Sequence, residues 1–443
     1  MEEPSSGDDG FSGDFASSES RDAEASDEDP SKQLSNPTVV PGSELAEEID
    51  PVMGKKKSKS DYRFWRTQPV PDFDEEIHEN GPIEPDRKPD EIPSEPLGLP
   101  NGLAWCELSL SDDTQLQELY ELLYENYVEA DDSLFRFAYP KEFLKWVLQR
   151  PGWNCYWHIG VRVIKTGKLV SFIAGTPCEI QIYGQIRRMS EVSFLCLHKE
   201  FRSKRITPLL IQELTRRAHW QGLSQAVYTS VAFLPKPVTT CRYWHRPLNP
   251  RKLLECGFME RSPEVSLERL VKFYQLPEKT TVNGFRQMTQ ADLPQAWDLL
   301  SKYLQQFSLH PVYTEEEFRH LFLPRKDVVY SFVVANDDGS ITDFCSYYIL
   351  FNSVVQNKNH STLKVAYSFY NARTVTRWPT LIQDVLITAR ELGCDVFNTL
   401  DLMKNKSFFD ELKFCMGDGD LHYYLYNWRC SFPRPDQVAL VLP

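Results

Sequence analysis

Residues 190–214 read SEVSFLCLHKEFRSKRITPLLIQEL. The first half is apolar and β-branched and predicts a strand. In the second half Leu210, Ile211, Leu214 and then Ala218 recur on one face, which predicts a helix that ends at Gly222. Thr207 is the expected N-cap, with Pro208 in the first turn. Between strand and helix, Arg202, Ser203, Lys204 and Arg205 place three cations beside a helix N-terminus. Free N–H groups and the positive dipole end attract anions there, and guanidinium groups add charge-assisted hydrogen bonds. The stretch therefore suits a phosphate or pyrophosphate; the plainer reading is pairing with surface carboxylates. No GxxxxGK[ST] occurs, which disfavours a nucleotide P-loop.

The rest of the chain gives this stretch its setting. A length of 443 residues, with 41% hydrophobic and 13% aromatic content, calls for two domains or a fused pair. Thirteen of the fourteen net negative charges fall in the first 50 residues, so the body is nearly neutral and nothing global argues for nucleic acid. Residues 1–60 are Ser/Asp/Glu-rich and are expected to be disordered. Lys55, Lys56, Lys57 and Lys59 end that tail, either as a solvated cluster or as a tether to ribosomal RNA or acidic lipid. The ten cysteines are scattered, with no CxxC pair, as expected for reduced thiols in the cytoplasm with no zinc site. No apolar run is long enough to span a membrane. MGKKKS at 53–58 fits a myristoylation acceptor motif, but it is internal and offers no free glycine amine.

Residues 61–100, with YRFWRTQPVPDF at 62–73, are Pro-rich and extended and should wrap over the body. Helix 114–127 carries Leu116, Leu119, Leu122 and Leu123 on one face. Its pattern returns at 291–304, where Leu116, Tyr120, Leu122 and Leu123 fall on Leu293, Trp297, Leu299 and Leu300. Both copies precede strands in similar order, which suggests two related α/β halves, 101–275 and 276–443.

A strand, a basic turn and a helix inside such halves resemble the acyl-CoA site of the GNAT superfamily. EVSFLCLHK is similar to the E-[IV]-N-F-L-C-x-H-K signature of the eukaryotic N-myristoyltransferases, the glycylpeptide N-tetradecanoyltransferase family. KFCMGDG is similar to that family's K-F-G-x-G-D-G signature. FRFAY, CRYWHRPLNPRKL, AYSFYN, DVFNTLDLM and LHYYLYNW follow in family order, so the resemblance runs from about residue 62 to 443. It implies an α/β fold of two fused GNAT-like halves with pseudo-twofold symmetry and a mixed sheet flanked by helices. It also implies a myristoyl-CoA site in the first half and a peptide groove shared with the second. The partners implied are proteins that start with glycine; the chain is expected to act as a monomer.

Residue roles follow from the same resemblance. The main-chain amides of Phe194 and Leu195 would bind the thioester oxyanion, and the α-carboxylate of Pro443 would take the proton from the glycine amine. Tyr62, Arg63, Phe64 and Trp65 would cover the cofactor. Phe194, Leu195, Cys196 and Leu197 would lie along it, and Arg202, Ser203, Arg205, Ile206 and Thr207 would hold its pyrophosphate. For the peptide, Tyr127, Val128, Asp131, Asp132, Phe135, Phe137 and Tyr139 would form one part of the groove. Ser193, Thr229, Tyr243, His245, Phe258, Tyr348, Tyr367, Asp418, Gly419, Leu421 and Leu442 would form the rest. Read without the resemblance, Cys196 is a packing cysteine and Asp131–Asp132 a solvated loop. QVALVLP is then a frayed end or a last strand. The chain departs from the family at Ser193 (usually Asn), Val231 (commonly Gly) and Cys415 (Gly). A required positive φ at Cys415 would shift the following loop. These changes keep open a divergent, weakly active or non-catalytic paralogue that binds acyl-CoA or peptide.

Overall fold

The computed structural model describes residues 58–127, 134–355 and 357–443. Residues 1–57 of the expected disordered tail, Lys55 to Lys57 among them, and the expected groove residues Val128, Asp131 and Asp132 lie outside the described residues, whereas 58–60 are described and Lys59–Asp61 form a 3-10 turn. Lys59 departs from the expectation of a solvated cluster. It is half-buried, and its ammonium donates to the Val70 carbonyl at 2.5 Å.

Among the described residues fourteen strands form one mixed sheet. In the first half they are β1 (Leu103–Glu107), β2 (Phe135–Ala138), β3 (His158–Val163), β4 (Leu169–Ile182), β5 (Gln185–Leu197), β6 (Ala226–Ser230) and β7 (Thr239–Pro247). The second half supplies β8 (Phe285–Gln287), β9 (Leu309–Pro311), β10 (Val329–Ala335), β11 (Ile341–Val354), β12 (Thr362–Arg373), β13 (Val396–Leu400) and β14 (Cys415–Tyr426). The principal helices are α1 (Asp113–Asn126), α2 (Lys141–Leu148), α3 (Ile206–Trp220), α4 (Leu293–Leu304) and α5 (Trp378–Glu391).

The strand order is β1-β3-β4-β5-β6-β14-β7-β13-β12-β11-β10-β8. Read inward from either edge, it gives three antiparallel pairings, one parallel pairing (β5 with β6, β12 with β13) and then an antiparallel partner from the other half. That last step exchanges β7 and β14 between the halves, so the halves share a seam rather than a linker. Paired elements match in length: β4 and β11 have 14 residues each, β6 and β13 have 5, and α3 and α5 have 15 and 14.

Amphipathic pattern positions the helices. Leu116, Leu119, Leu122 and Leu123 of α1 are buried, and Asp112 caps its first turn through Thr114 and Gln115. Leu210, Leu214 and Ala218 of α3 are buried against Trp157, Ile159 and Ile173. At the start of α3 the structure corrects the sequence reading. The basic stretch is a 3-10 turn, Lys199–Lys204, and the N-cap is Arg205, in a left-handed conformation (φ 55°, ψ 39°). Thr207 lies inside the first turn, fully buried. Two further strands are shorter than expected. AVYTSVAFL is strand only to Ser230, and QVALVLP forms no strand; its single ladder contact is Val438 beside Leu309.

The Pro-rich segment packs on the body as expected. Tyr62, Phe64, Trp65 and Val70 cluster with Leu234, Tyr424 and Tyr426. Trp65 stacks on Tyr228 at 5.9 Å, and the Tyr62 hydroxyl donates to the Phe233 carbonyl at 2.9 Å. Among the described residues no helix is long and apolar enough to cross a membrane.

Candidate active site

The parallel pairs are where the sheet opens. β5 and β6 pair only at Ser190–Ala226 and Glu191–Val227, and then diverge. Just past that point β5 bulges against β4: Phe172 faces Cys196 and Ala174 faces Ser193, so Phe194 and Leu195 together oppose Ile173. Phe194 takes a left-handed φ of 53°, uncommon for a bulky side chain. Its ring is held by Tyr127 at 5.6 Å and edge-on by Tyr139 at 5.3 Å. The other half carries a bulge at the matching place, where Phe369 and Tyr370 of β12 oppose Ser346 of β11. There the Tyr370 amide donates to the Ser346 hydroxyl at 3.0 Å, and that hydroxyl donates to the Tyr370 carbonyl at 2.9 Å. Ile173 has no hydroxyl with which to close the first bulge in this way.

The opened sheet holds a cavity of about 340 Å³. Its walls bring together Trp65, Tyr127, Phe137, Tyr139, Ser193, Phe194, Leu195, Thr229, Tyr243, His245, Phe258, Tyr348, Tyr367, Gly419, Leu421, Leu442 and Pro443. Elements from both halves and the chain end thus meet at one space. Other candidates lie off its walls. Tyr62 and Phe64 are buried between the covering segment and the body, and Arg63 is exposed. Cys196 and Leu197 are fully buried on opposite faces of β5, in separate cores. Burial pushes the Cys196 thiol far above its usual range, which fits packing rather than nucleophilic chemistry. Phe135 is buried behind Phe258, edge-on at 5.7 Å, and Asp418 is exposed at the rim.

His245 shows how β14 shapes the groove. Met416 pairs with Trp244 and Asp420 with Arg242, so Gly417, Asp418 and Gly419 together oppose Tyr243. A Cβ on Gly417 would collide with the His245 ring, so this glycine is required by close approach. The His245 Nδ1 lies 2.7 Å from Asn398 Oδ1, and burial lowers its pKa to about 4. The ring is therefore neutral at physiological pH and donates from Nδ1 to Asn398. Cys415 has no left-handed φ; it pairs with His245 in the ladder, its sulfur 3.1 Å from the Tyr274 hydroxyl. The glycine-to-cysteine departure therefore leaves this backbone in ordinary strand geometry.

Burial likewise raises the phenols of Tyr139 and Tyr348 well above their usual range, and that of Tyr243 to about 12. Among the described residues two side-chain carboxylates line the cavity, and both have cationic partners: Glu191 with Arg150 at 2.6 Å and Asp420 with Arg242 at 2.8 Å. Pro443 ends a run, Val438 to Val441, that is buried. The Ala439 amide donates to the Leu309 carbonyl at 2.8 Å, and the Val441 amide to the Tyr370 hydroxyl at 3.0 Å.

At the mouth of α3, Ile206 and Thr207 are fully buried, so only their main-chain groups can face an anion, and no side chain caps the helix. Arg205 is exposed, Arg202 is half-buried and donates to the Asn126 carbonyl at 3.0 Å, and the Ser203 side chain lies outside the described residues.

Among the cavity residues that sequence reading missed are Glu191, Asn398 and Asn352. Asn352 is 4% exposed, with no partner for its side-chain oxygen. Each is a polar residue inside an apolar β-rich run, a signal that was present. Among the described residues no cluster of three or more His, Cys, Asp or Glu could hold a metal ion.

Buried histidines also set an acid limit on stability. His158, His245 and His320 each have a pKa lowered to about 4 by burial. In the unfolded chain they take up protons near pH 6.5, so stability falls as pH drops from 6.5 toward 4. Thermal melts across that window should show the fall, and His158→Phe should make it shallower; parallel curves would remove His158 from the cause.

Comparison with known proteins agrees along the chain. Residues 82–241 match the family described as myristoyl-CoA:protein N-myristoyltransferase, N-terminal domain, and residues 255–438 match its C-terminal domain. The chain is 48% identical over 393 residues to a glycylpeptide N-tetradecanoyltransferase of Drosophila melanogaster, covering 89% of this chain and 83% of the fly protein. It is 51% identical over 385 residues to glycylpeptide N-tetradecanoyltransferase 2 of Danio rerio, covering 87% of this chain and 78% of that one. A crystal structure of Saccharomyces cerevisiae N-myristoyltransferase with bound myristoyl-CoA superposes with a TM-score of 0.85 at 38% identity, over 90% of this chain and 98% of that chain. With identity at this level spanning both halves and the strand exchange between them, the chain belongs to the myristoyl-CoA:protein N-myristoyltransferase family, the glycylpeptide N-tetradecanoyltransferases.

Proposed function

We propose that this chain transfers a myristoyl group from myristoyl-CoA to the N-terminal glycine amine of proteins, by direct attack of the amine on the thioester. The observation that carries this is the shared cavity, where the bulged Phe194–Leu195 main chain, an aromatic groove and Pro443 line one space. In the proposed step the amine nitrogen bonds to the thioester carbon. The negative charge on oxygen is met by the Phe194 and Leu195 amides, and the C–S bond then breaks as the nitrogen gives up its surplus proton to the departing sulfur, releasing CoA thiol and the amide. The Pro443 carboxylate accepts the proton from the substrate ammonium. The neutral His245, the high-pKa phenols and the ion-paired Glu191 and Asp420 support giving that role to the chain end. Thr229 and Ser193 hold the amine, and Tyr243, Tyr348, Tyr367 and Leu421 accept the peptide. The family resemblance assigns Asp131 and Asp132, which lie outside the described residues, to a lysine a few residues into it. Each half is a GNAT-like unit, 101–275 holding the acyl-CoA and 276–443 most of the peptide, with 61–100 as the cover.

Release of CoA with myristoyl-CoA and a Gly-starting octapeptide tests the function. Turnover well above that with the Ala-starting control is expected; equal rates would favour the weakly active acyl-CoA-binding reading, which Ser193 and Val231 motivate. Comparison with acetyl-CoA separates an ordinary acetyltransferase.

The pyrophosphate cradle has its own test. Arg205→Gly keeps the left-handed N-cap that glycine accepts without strain and removes one guanidinium. KM for acyl-CoA should rise about tenfold, as for loss of a charge-assisted hydrogen bond, with kcat nearly unchanged. An unchanged KM would take Arg205 out of the cradle.

A further inference from the structure

Glu191 is the one carboxylate in the run SEVSFLCL, and it lies in the middle of the sheet, paired to Thr176 on β4 and Val227 on β6. It is 3% exposed and forms an ion pair with Arg150 at 2.6 Å; Arg150 itself is 8% exposed. Glu191 also lines two cavities. One is the active cavity. The other is a small space of about 20 Å³ behind the chain end, walled by Arg150, Tyr313 and Leu440 to Pro443. That space has room for about one water molecule.

The charge around this second space is one-sided. Glu179, Glu191 and Glu317 line it together with the thiol of Cys178 and the phenol of Tyr313, and Arg150 is the single cation among the described lining residues. The Tyr313 and Tyr370 hydroxyls are hydrogen-bonded, and Tyr370 accepts from the Val441 amide at 3.0 Å. The main chain is thus pinned two residues before Pro443, on the wall that Arg150 shares. A buried guanidinium without a partner would seek another carboxylate; Glu317 is engaged by the Thr314 amide and hydroxyl and Glu179 is exposed to solvent, which leaves the chain end on that wall. Such a pairing would lower the carboxylate's affinity for a proton and draw it away from the substrate amine.

We propose that Glu191 is a positioning residue: by holding Arg150 in a buried ion pair, it keeps the guanidinium from capturing the Pro443 carboxylate and leaves that carboxylate available to the substrate. This rests on the reading of Pro443 as the proton acceptor. It assigns Glu191 no contact with substrate, and it explains why an ion pair is buried beside the cavity at all.

The test is the pH dependence of single-turnover acylation in Glu191→Gln, Glu191→Asp and the double variant Arg150→Met/Glu191→Gln. Glu191→Gln should slow acylation at least tenfold and move its acid limb to lower pH, with acyl-CoA affinity within about twofold of the parent. Glu191→Asp keeps the charge and should hold the limb in place. The double variant removes both charges and should regain most of the rate. A merely structural pair would give a double variant no faster than Glu191→Gln, with the limb unmoved, and either result overturns the proposal. If Glu191→Gln does not fold, the other two carry the test, and a displaced limb in either is fatal. Amidating Pro443 in the parent separates the premise: unchanged turnover there removes the proton acceptor itself. A slow amidated enzyme with an unmoved Glu191→Gln limb removes only the role of Glu191.

Discussion

One residue added after Pro443 is expected to lower turnover by about two to four orders of magnitude, the usual contribution of a positioned general base, while acyl-CoA affinity changes less than about threefold. The expectation follows from how the end is held. Val438 to Val441 are buried, and the amides of Ala439 and Val441 are fixed to Leu309 and Tyr370. Slack is lacking, because proline fixes its own φ and Val441 is already tied. An added residue must therefore enter the cavity or pull the anchored run out of register, and in both cases the carboxylate leaves its place. Amidating Pro443 removes the charge without adding bulk, so it should reproduce most of the loss. Rates are read as CoA release in single turnover, and affinity by titration with a non-hydrolysable acyl-CoA. If the extended and amidated chains turn over like the parent, the proton has another acceptor. The paired carboxylates Glu191 and Asp420 would then need re-examination.

Much of this geometry was legible in residue order, for reasons that can be named. The helix periods at 114–127 and 291–304 and the strand runs after them are local patterns, and they gave the two halves. What a single half cannot reveal is the exchange of β7 and β14, since nothing in the composition of TTCRYWHRP says which sheet will accept it; Tyr243 and His245 reach the groove only because β7 pairs with β13 and β14. The Thr207 cap failed for a local reason. The 3-10 turn Lys199–Lys204 consumes the basic stretch, and Arg205 takes the left-handed cap, so the helix begins one residue before Thr207. The bulge at Phe194 could be inferred only through the resemblance, because a left-handed phenylalanine contradicts its own strand propensity. Glu191, Asn352 and Asn398 were each visible as a polar residue in an apolar run, yet only folded proximity distinguishes a cavity wall from a satisfied core.

Ile173→Ser is expected to slow acylation about tenfold to a hundredfold relative to Ile173→Ala, although serine and alanine leave similar space. The two bulges differ in what faces them from the neighbouring strand. In the second half Ser346 accepts the Tyr370 amide, and the bulge is closed within the sheet. In the first half Leu195 stands where Tyr370 stands, and Ile173 where Ser346 stands. The isoleucine side chain cannot accept a hydrogen bond, so in the proposed step the Leu195 amide meets the thioester oxygen, beside a Phe194 main chain that is hydrogen-bonded to the Tyr127 hydroxyl. A serine there would do for Leu195 what Ser346 does for Tyr370. The thioester oxygen would then compete with an internal acceptor, and part of the oxyanion stabilisation, about 10²–10³ per donor, would be lost. Both variants also lose core volume, because Ile173 is fully buried, and each should cost about 2–5 kcal/mol of stability. The comparison between them cancels that term, which is why alanine rather than the parent is the reference. The loss should appear in the acylation rate and not in acyl-CoA affinity, because the hydroxyl competes only where charge develops. Equal rates for the serine and alanine variants would mean that the Leu195 amide does not meet the developing oxyanion. The bulge would then be a packing feature common to both halves, and the strained φ of Phe194 would need another cause.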